Sequence, residues 1–251
     1  MNRRMIARTL GITLLAEAAF LLLPALVSLI YSEDTTWALL VSAGVSALLG
    51  LLLASIKPRS RTIFAREGFL IVSLGWIGMS IIGALPFYLS GEIPNLVDAF
   101  FETVSGFTTT GASILSDVEA LSKSLLFWRS FTHWIGGMGV LVFVMAVLPL
   151  AGGGGDIHLM RAESPGPEVE KLVPKSTRTA KLLYGMYLFL TLFEVILLLC
   201  GGVDLFESLT VSFGTAGTGG FAIKNSSLAE YTPYVQWVVA VFMMLFGINF
   251  G

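Results

Sequence analysis

The chain has 251 residues, 55% of them hydrophobic and 13% charged, with a mean hydropathy of +0.83. A soluble domain is about one quarter charged, so this composition, gathered into long apolar stretches, excludes an ordinary soluble enzyme, a nucleic-acid binder and a disordered chain. The formal net charge of −2 gives no basic footprint for a polyanion, and the single cysteine, Cys200, cannot close an internal disulfide.

Six stretches approach or reach the length needed to cross about 30 Å of hydrocarbon at 1.5 Å per helical residue. They run over Leu10–Ile30, Trp37–Ile56, Gly68–Leu89, Leu125–Leu150, Leu182–Cys200 and Tyr234–Gly251. The first follows Arg3, Arg4 and Arg8. Its apolar part is too long for a signal peptide and no small-residue cleavage site follows, so it reads as a retained helix. Arg3, Arg4, Arg8, Lys57, Arg59, Arg61, Arg66, Arg161, Lys171, Lys175, Arg178 and Lys181 all fall on one side, twelve of the fifteen basic residues. The positive-inside rule makes that side, and the N-terminus, cytoplasmic. The outer segments carry Glu33, Asp34, Glu92, Asp98, Glu102, Asp117, Glu119, Asp204, Glu207 and Glu230. Such a mouth concentrates cations, although acidic outer loops also arise simply because basic residues are retained inside.

Two segments break the simple count. Asn95–Ser116 and Val203–Ser227 each open with an apolar run too short to span, Leu96–Phe107 and Leu205–Phe213, then dissolve into small residues. Short segments of this kind are re-entrant, and irregular backbone at membrane depth survives only beside a cavity or inside protein. The two segments resemble each other. Val97-Asp98-Ala99-Phe100 matches Val203-Asp204-Leu205-Phe206, and without gaps the same offset pairs Phe107 with Phe213 and Gly111 with Gly217. The chain therefore reads as an all-α membrane protein with two leading helices and two helix–pore-loop–helix repeats. Its parts are residues 1–66 (leading helices and a cytoplasmic loop), 67–151 (first repeat), 152–181 (cytoplasmic connector) and 182–251 (second repeat).

The first loop reads Ser105-Gly106-Phe107-Thr108-Thr109-Thr110-Gly111-Ala112-Ser113. A cation entering a narrow pore must exchange its water shell for other oxygens, and backbone carbonyls supply them without a trapping charge. Threonine adds a hydroxyl, and glycine reaches the dihedrals that turn successive carbonyls inward. The C-terminal end of the preceding short helix carries partial negative charge and favours a cation. Gly217-Thr218-Gly219-Gly220-Phe221 brings the same ingredients. Alone, a Thr-Thr-Thr-Gly string is a weak signal, since polar glycine-rich loops are mostly turns.

Asp98–Ser113, Phe127-Trp128-Arg129-Ser130 through Trp134-Ile135-Gly136-Gly137-Met138-Gly139, and Arg161-Ala162-Glu163-Ser164-Pro165-Gly166-Pro167 with Lys171, Pro174 and Arg178 resemble the TrkH/KtrB superfamily of potassium transporters. The two leading helices favour the TrkH branch. The resemblance implies potassium uptake across the bacterial inner membrane through a carbonyl-lined filter, with four repeats around one pore and one filter glycine in each. It implies a homodimer and, on the connector, a docking surface for a nucleotide-binding regulatory subunit of TrkA type; as a loop between helices the connector needs no partner. It places the filter at Thr108, Thr109, Thr110 and Gly111, and at Thr218, Gly219 and Gly220. The family pattern selects Gly220 because it precedes an aromatic, whereas the ungapped repeat selects Gly217. Glycine rather than serine at position 111 points to potassium; a sodium or mixed-cation transporter is the nearest rival. Only two repeats are present, and the chain stops at Gly251 without a polar tail, so it reads as an N-terminal half, conducting or not.

Arg129 snorkels to headgroups within a Trp128/Trp134 interfacial belt, or pairs with a carboxylate such as Glu102 behind the filter. His133 has Gly137 at the i+4 position, so it reads as a hydrogen-bonding helix residue rather than a metal ligand. Glu17 lies on the leading helices, away from the expected pore repeats, while Glu194 is a candidate for shaping a cation path. The glycines at 136, 137 and 139 permit close helix contact. An intramembrane enzyme would need a nucleophile with a base, or a metal set; the two histidines and lone cysteine supply neither, so the chain reads as no enzyme.

Overall fold

Asn2 opens the first helix, α1 (Arg3–Tyr31), by accepting a hydrogen bond from the Met5 amide, and Ser32 closes it in the left-handed conformation at φ 56°. After a tight turn, α2 (Thr36–Ala54) runs back along α1. Small residues set their crossing: a side chain on Gly11 would strike the Ala54 amide, and one on Gly50 would meet the Gly11 carbonyl at 3.0 Å. Close backbone approach of this kind is how helices associate in lipid. The computed structural model describes residues 2–58, 65–139 and 176–248.

The remaining described helices are α3 (Ala65–Ser90), α4 (Leu96–Phe107), α5 (Lys123–Gly137), α6 (Ser176–Cys200), α7 (Leu205–Ala216) and α8 (Pro233–Gly247). Thus α3–α4–α5 and α6–α7–α8 are two copies of a long helix, a 12-residue helix and a further helix. Among the described residues, four helices are long and apolar enough to cross a membrane: Arg3–Tyr31, Thr36–Ala54, Glu67–Ser90 and Lys181–Cys200. Leucines 26, 48, 51, 52 and 192 and Phe189 stand exposed on them. Water would penalise so much uncovered apolar surface, and hydrocarbon does not.

Of the six expected spans, the fourth and sixth are described only in part. α5 and α8 have 15 residues each; residues 140–150, 249–251 and most of the 152–181 connector lie outside the described residues.

α5 occupies the centre. Ser124–Ile135 is buried on every side, against α1, α4 and α7. The core is aromatic: Phe131 meets Phe20 of α1 edge-on at 5.5 Å, stacks on Trp134 at 5.4 Å, and contacts Phe213 of α7 at 5.3 Å. This overturns the expected tryptophan belt. Trp128 is fully buried, its indole donating to the Gly83 carbonyl (2.9 Å), and Trp134 donates to Thr191 (3.1 Å). Indole N–H groups need such partners once removed from water, and these tryptophans join helices rather than mark an interface.

Candidate functional site

Both short helices are built alike. Asn95 caps α4 by accepting from the Val97 amide at 2.9 Å, and Asp204 caps α7 by accepting from Glu207 at 3.0 Å. The helix starts Leu96 and Leu205 lie 109 positions apart. So do the left-handed threonines, Thr109 (φ 54°) and Thr218 (φ 55°), and the positive-φ glycines, Gly111 (76°) and Gly220 (77°). The sequence match of Val97–Phe100 with Val203–Phe206 is therefore three residues out of structural register: Asp98 lies in the first turn of α4, whereas Asp204 is a cap. Three residues is nearly one helical turn, so the shifted strings still share a face. Gly217, the partner of Gly111 in the ungapped alignment, is the C-cap of α7 at φ −73°; its backbone counterpart is Thr108, the C-cap of α4.

A non-glycine residue in the left-handed region is uncommon, and here one recurs at the same place in both loops. The turn that it makes ties each chain back to its helix. The Thr110 amide donates to the Ser105 carbonyl (2.9 Å), and the Gly220 amide to the Gly214 carbonyl (3.3 Å). The Thr108 hydroxyl donates to the Val104 carbonyl (2.7 Å) and lies 2.8 Å from the Thr110 hydroxyl. Thr108, Thr110, Thr218 and Gly220 are exposed; Thr109, Gly111 and Gly219 are half-buried.

The loops meet. A side chain on Gly111 would overlap the Gly219 carbonyl, and one on Gly219 would reach the Thr109 carbonyl at 2.5 Å. α5 passes between the ends of both short helices. A Cβ on Gly136 would strike the Phe107 carbonyl at the end of α4, and one on Gly137 would lie 3.0 Å from the Ala216 carbonyl at the end of α7. The two loops are thus brought together beside two helix C-termini, with the Gly219 and Thr109 carbonyls at their contact.

His133 projects from α5 beneath the second loop. It is fully buried with its ring 4.1 Å from that of Phe221, and Gly217 and Gly219 leave the space it fills. Neither ring nitrogen has a hydrogen-bond partner among the described residues. The expected hydrogen-bonding role is therefore replaced by a steric one.

Arg129 pairs with Glu102, the second of the two alternatives. Its Nε donates to Glu102 Oε1 at 2.6 Å, with both side chains almost wholly buried. Glu102 also accepts from the Ser113 hydroxyl (2.9 Å) and the Ile114 amide (3.0 Å), holding the exit of the first loop. The same guanidinium reaches the second loop: Nη1 donates to the Ala222 carbonyl at 2.7 Å, and the group lies 3.6 Å over the Phe221 ring. Among the described residues the second repeat has no such buried pair. Val211 stands at the position of Glu102 and, counted from the helix starts Lys123 and Pro233, Val239 at that of Arg129; both border a cavity of about 190 Å³ lined also by Gly220, Phe221 and Met243.

Much of the acidity of the connecting segments has a structural use that sequence reasoning missed. Glu33, from the α1–α2 turn, accepts from the Lys123 and Ser124 amides (2.7 and 3.0 Å), and Glu92 accepts from the Ser122 amide (2.8 Å). Together they cap α5 from elsewhere in the chain, where a negative charge also suits the helix N-terminus. Asn225 clasps the outer loops, donating to Asp117 (2.8 Å) and Glu119 (2.9 Å) and accepting from the Val118 amide (2.8 Å). Glu207 accepts from Tyr231 (3.0 Å); burial first, then this carboxylate, push the Tyr231 hydroxyl above its ordinary pKa. Glu17 does reach the first repeat. Its Oε1 lies against Gly83, beside Thr103 and Phe107 at the back of α4. Glu194, fully buried on α6, faces Thr215 in the last turn of α7.

These features define a multi-pass helical membrane protein in which two related hairpin units bring polar loops together. The profile of one family, TrkH, described as a cation transport protein, matches residues 40–251, and the chain belongs to that family. The Trk system potassium uptake protein TrkH of Escherichia coli is 38% identical over all of this chain and 53% of its own length. TrkG of the same organism is 32% identical over 98% of the chain and 52% of its length. The crystal structure of the potassium transporter TrkH from Vibrio parahaemolyticus matches the whole chain with a TM-score of 0.83 at 31% identity, over 51% of that protein. The chain spans about half the length of the curated relatives it matches. It is a transporter-family chain, not an enzyme.

Proposed function

We propose that this chain supplies two of the pore loops of a Trk-type potassium uptake system in the bacterial inner membrane. Its N-terminus is cytoplasmic, and its parts are divided as residues 1–66, 67–151, 152–181 and 182–251. Potassium would be held by oxygens of Thr108, Thr109, Thr110 and Gly111 and of Thr218, Gly219 and Gly220. One observation carries this reading: each loop places a left-handed threonine two residues before a positive-φ glycine at the end of a short helix, and the loops touch at Gly111 and Gly219. The names of the relatives support potassium as the ion. The membrane potential would drive entry, at about 2.3 kcal/mol per charge per 100 mV. A homodimer and a TrkA-type nucleotide-binding subunit acting on the connector complete the proposed system.

The test is rubidium uptake by liposomes carrying the natural polypeptide that contains this sequence, with sodium as competitor. Gly111→Ser should reduce the preference for rubidium over sodium at least tenfold, since any side chain at Gly111 displaces the Gly219 carbonyl. An unchanged preference would refute the role given to Gly111.

A further inference from the structure

The Arg129 guanidinium holds both loops at once from beneath. Through Glu102 it is joined to Ser113 and Ile114, the exit of the first loop; directly, it binds the Ala222 carbonyl and covers Phe221 in the second. Arginine suits this use because its planar fork offers several donors in fixed directions and stacks on aromatic faces. The second repeat puts Val211 and Val239 at the matching positions, next to a cavity. Behind Gly220 the nearest neighbour of an added Cβ is the flexible end of Met243, at 3.4 Å, whereas behind Gly111 it is backbone. Its own repeat supports the second loop at a half-exposed Lys224–Glu207 pair (3.5 Å), whereas the buried polar hold on Phe221 and Ala222 comes from Arg129 of the first.

We infer that Arg129, held by Glu102, is a positioning residue that sets the place of the second loop relative to the first, and so determines how strictly the paired loops discriminate between monovalent cations. The selectivity half of this inference rests on the potassium reading above; the positional half does not. Breaking a buried pair by removing one partner leaves an uncompensated charge, whereas replacing both members by apolar residues is often tolerated. The second repeat itself supplies the apolar version.

Two measurements on three variants test it. Glu102→Val combined with Arg129→Val transplants the valine pair of the second repeat; Arg129→Met removes the guanidinium alone; Arg129→Lys keeps the charge without the fork. In the membrane-reconstituted chain, amide hydrogen exchange should accelerate at least tenfold over residues 218–224 in the double variant and in Arg129→Met, and less in Arg129→Lys. Residues 38–54 of α2 should be unaffected. Rubidium-over-sodium preference of the natural polypeptide containing this sequence should fall in the same order. Unchanged exchange over 218–224 in the double variant, or equal acceleration in α2, would overturn the positional claim. Faster exchange with undiminished preference would overturn the selectivity claim. If the unaltered protein shows no preference for rubidium, the potassium reading fails, and exchange alone still decides whether Arg129 places the loop.

Discussion

The two repeat units share a backbone and differ behind it. The first loop is backed by Glu102 and Arg129, buried and 2.6 Å apart; the second by Val211, Val239 and a cavity of about 190 Å³. Cap, helix length, left-handed threonine and positive-φ glycine recur at one spacing. The backbone turn is thus specified by a few local residues, while its stiffness is specified separately by what lies beneath it.

Five substitutions, in three tests, would break or sharpen that contrast. Glu102→Ala strands a buried guanidinium and should cost about 3–5 kcal/mol. Val211→Ala removes two apolar carbons beside an existing cavity and should cost about 1.5 kcal/mol. Unfolding of the chain in detergent measures both, and equal losses would mean that the two backings are equivalent. The next largest difference concerns the glycines. Both occupy left-handed backbone, which costs another residue about 1–2 kcal/mol. Only at Gly111 does a Cβ also overlap backbone, so Gly111→Ala should destabilise more than Gly220→Ala. The reverse order in the same unfolding assay would show that the loops do not meet as described. The smallest effect is expected at Glu33→Gln, which keeps an acceptor for the Lys123 and Ser124 amides but loses the charge. A loss of about 0.5 kcal/mol follows from the helix-dipole contribution, and it should shrink as salt is raised. A salt-independent loss would locate the effect elsewhere.

Apolar run length revealed the long helices, because hydrocarbon demands an uninterrupted apolar run. The short helices and their loops were legible too, since Asn95, Asp204 and the glycine–threonine strings are local signals. Their mutual register was not. A four-residue match with three identities outweighed the caps, although an Asx residue that accepts a backbone amide marks a helix start more reliably than similar residues inside it. The pairing of Arg129 with Glu102 could be raised from the cost of burying a charge, but the alternative of snorkelling could be removed only by seeing α5 buried on every side. Contacts such as Glu33 on α5 and Asn225 on Asp117 join residues 90 or more positions apart, and no local pattern announces them.

The adjacent glycines of α5 face different neighbours, Gly136 the end of α4 and Gly137 the end of α7. Successive helical residues point about 100° apart, so this single step aims one smooth notch at each half of the molecule. Inserting or deleting one residue upstream in α5 would swing both notches away together. The two halves are consequently geared to a common spindle: neither short helix can be reseated on α5 without turning the other.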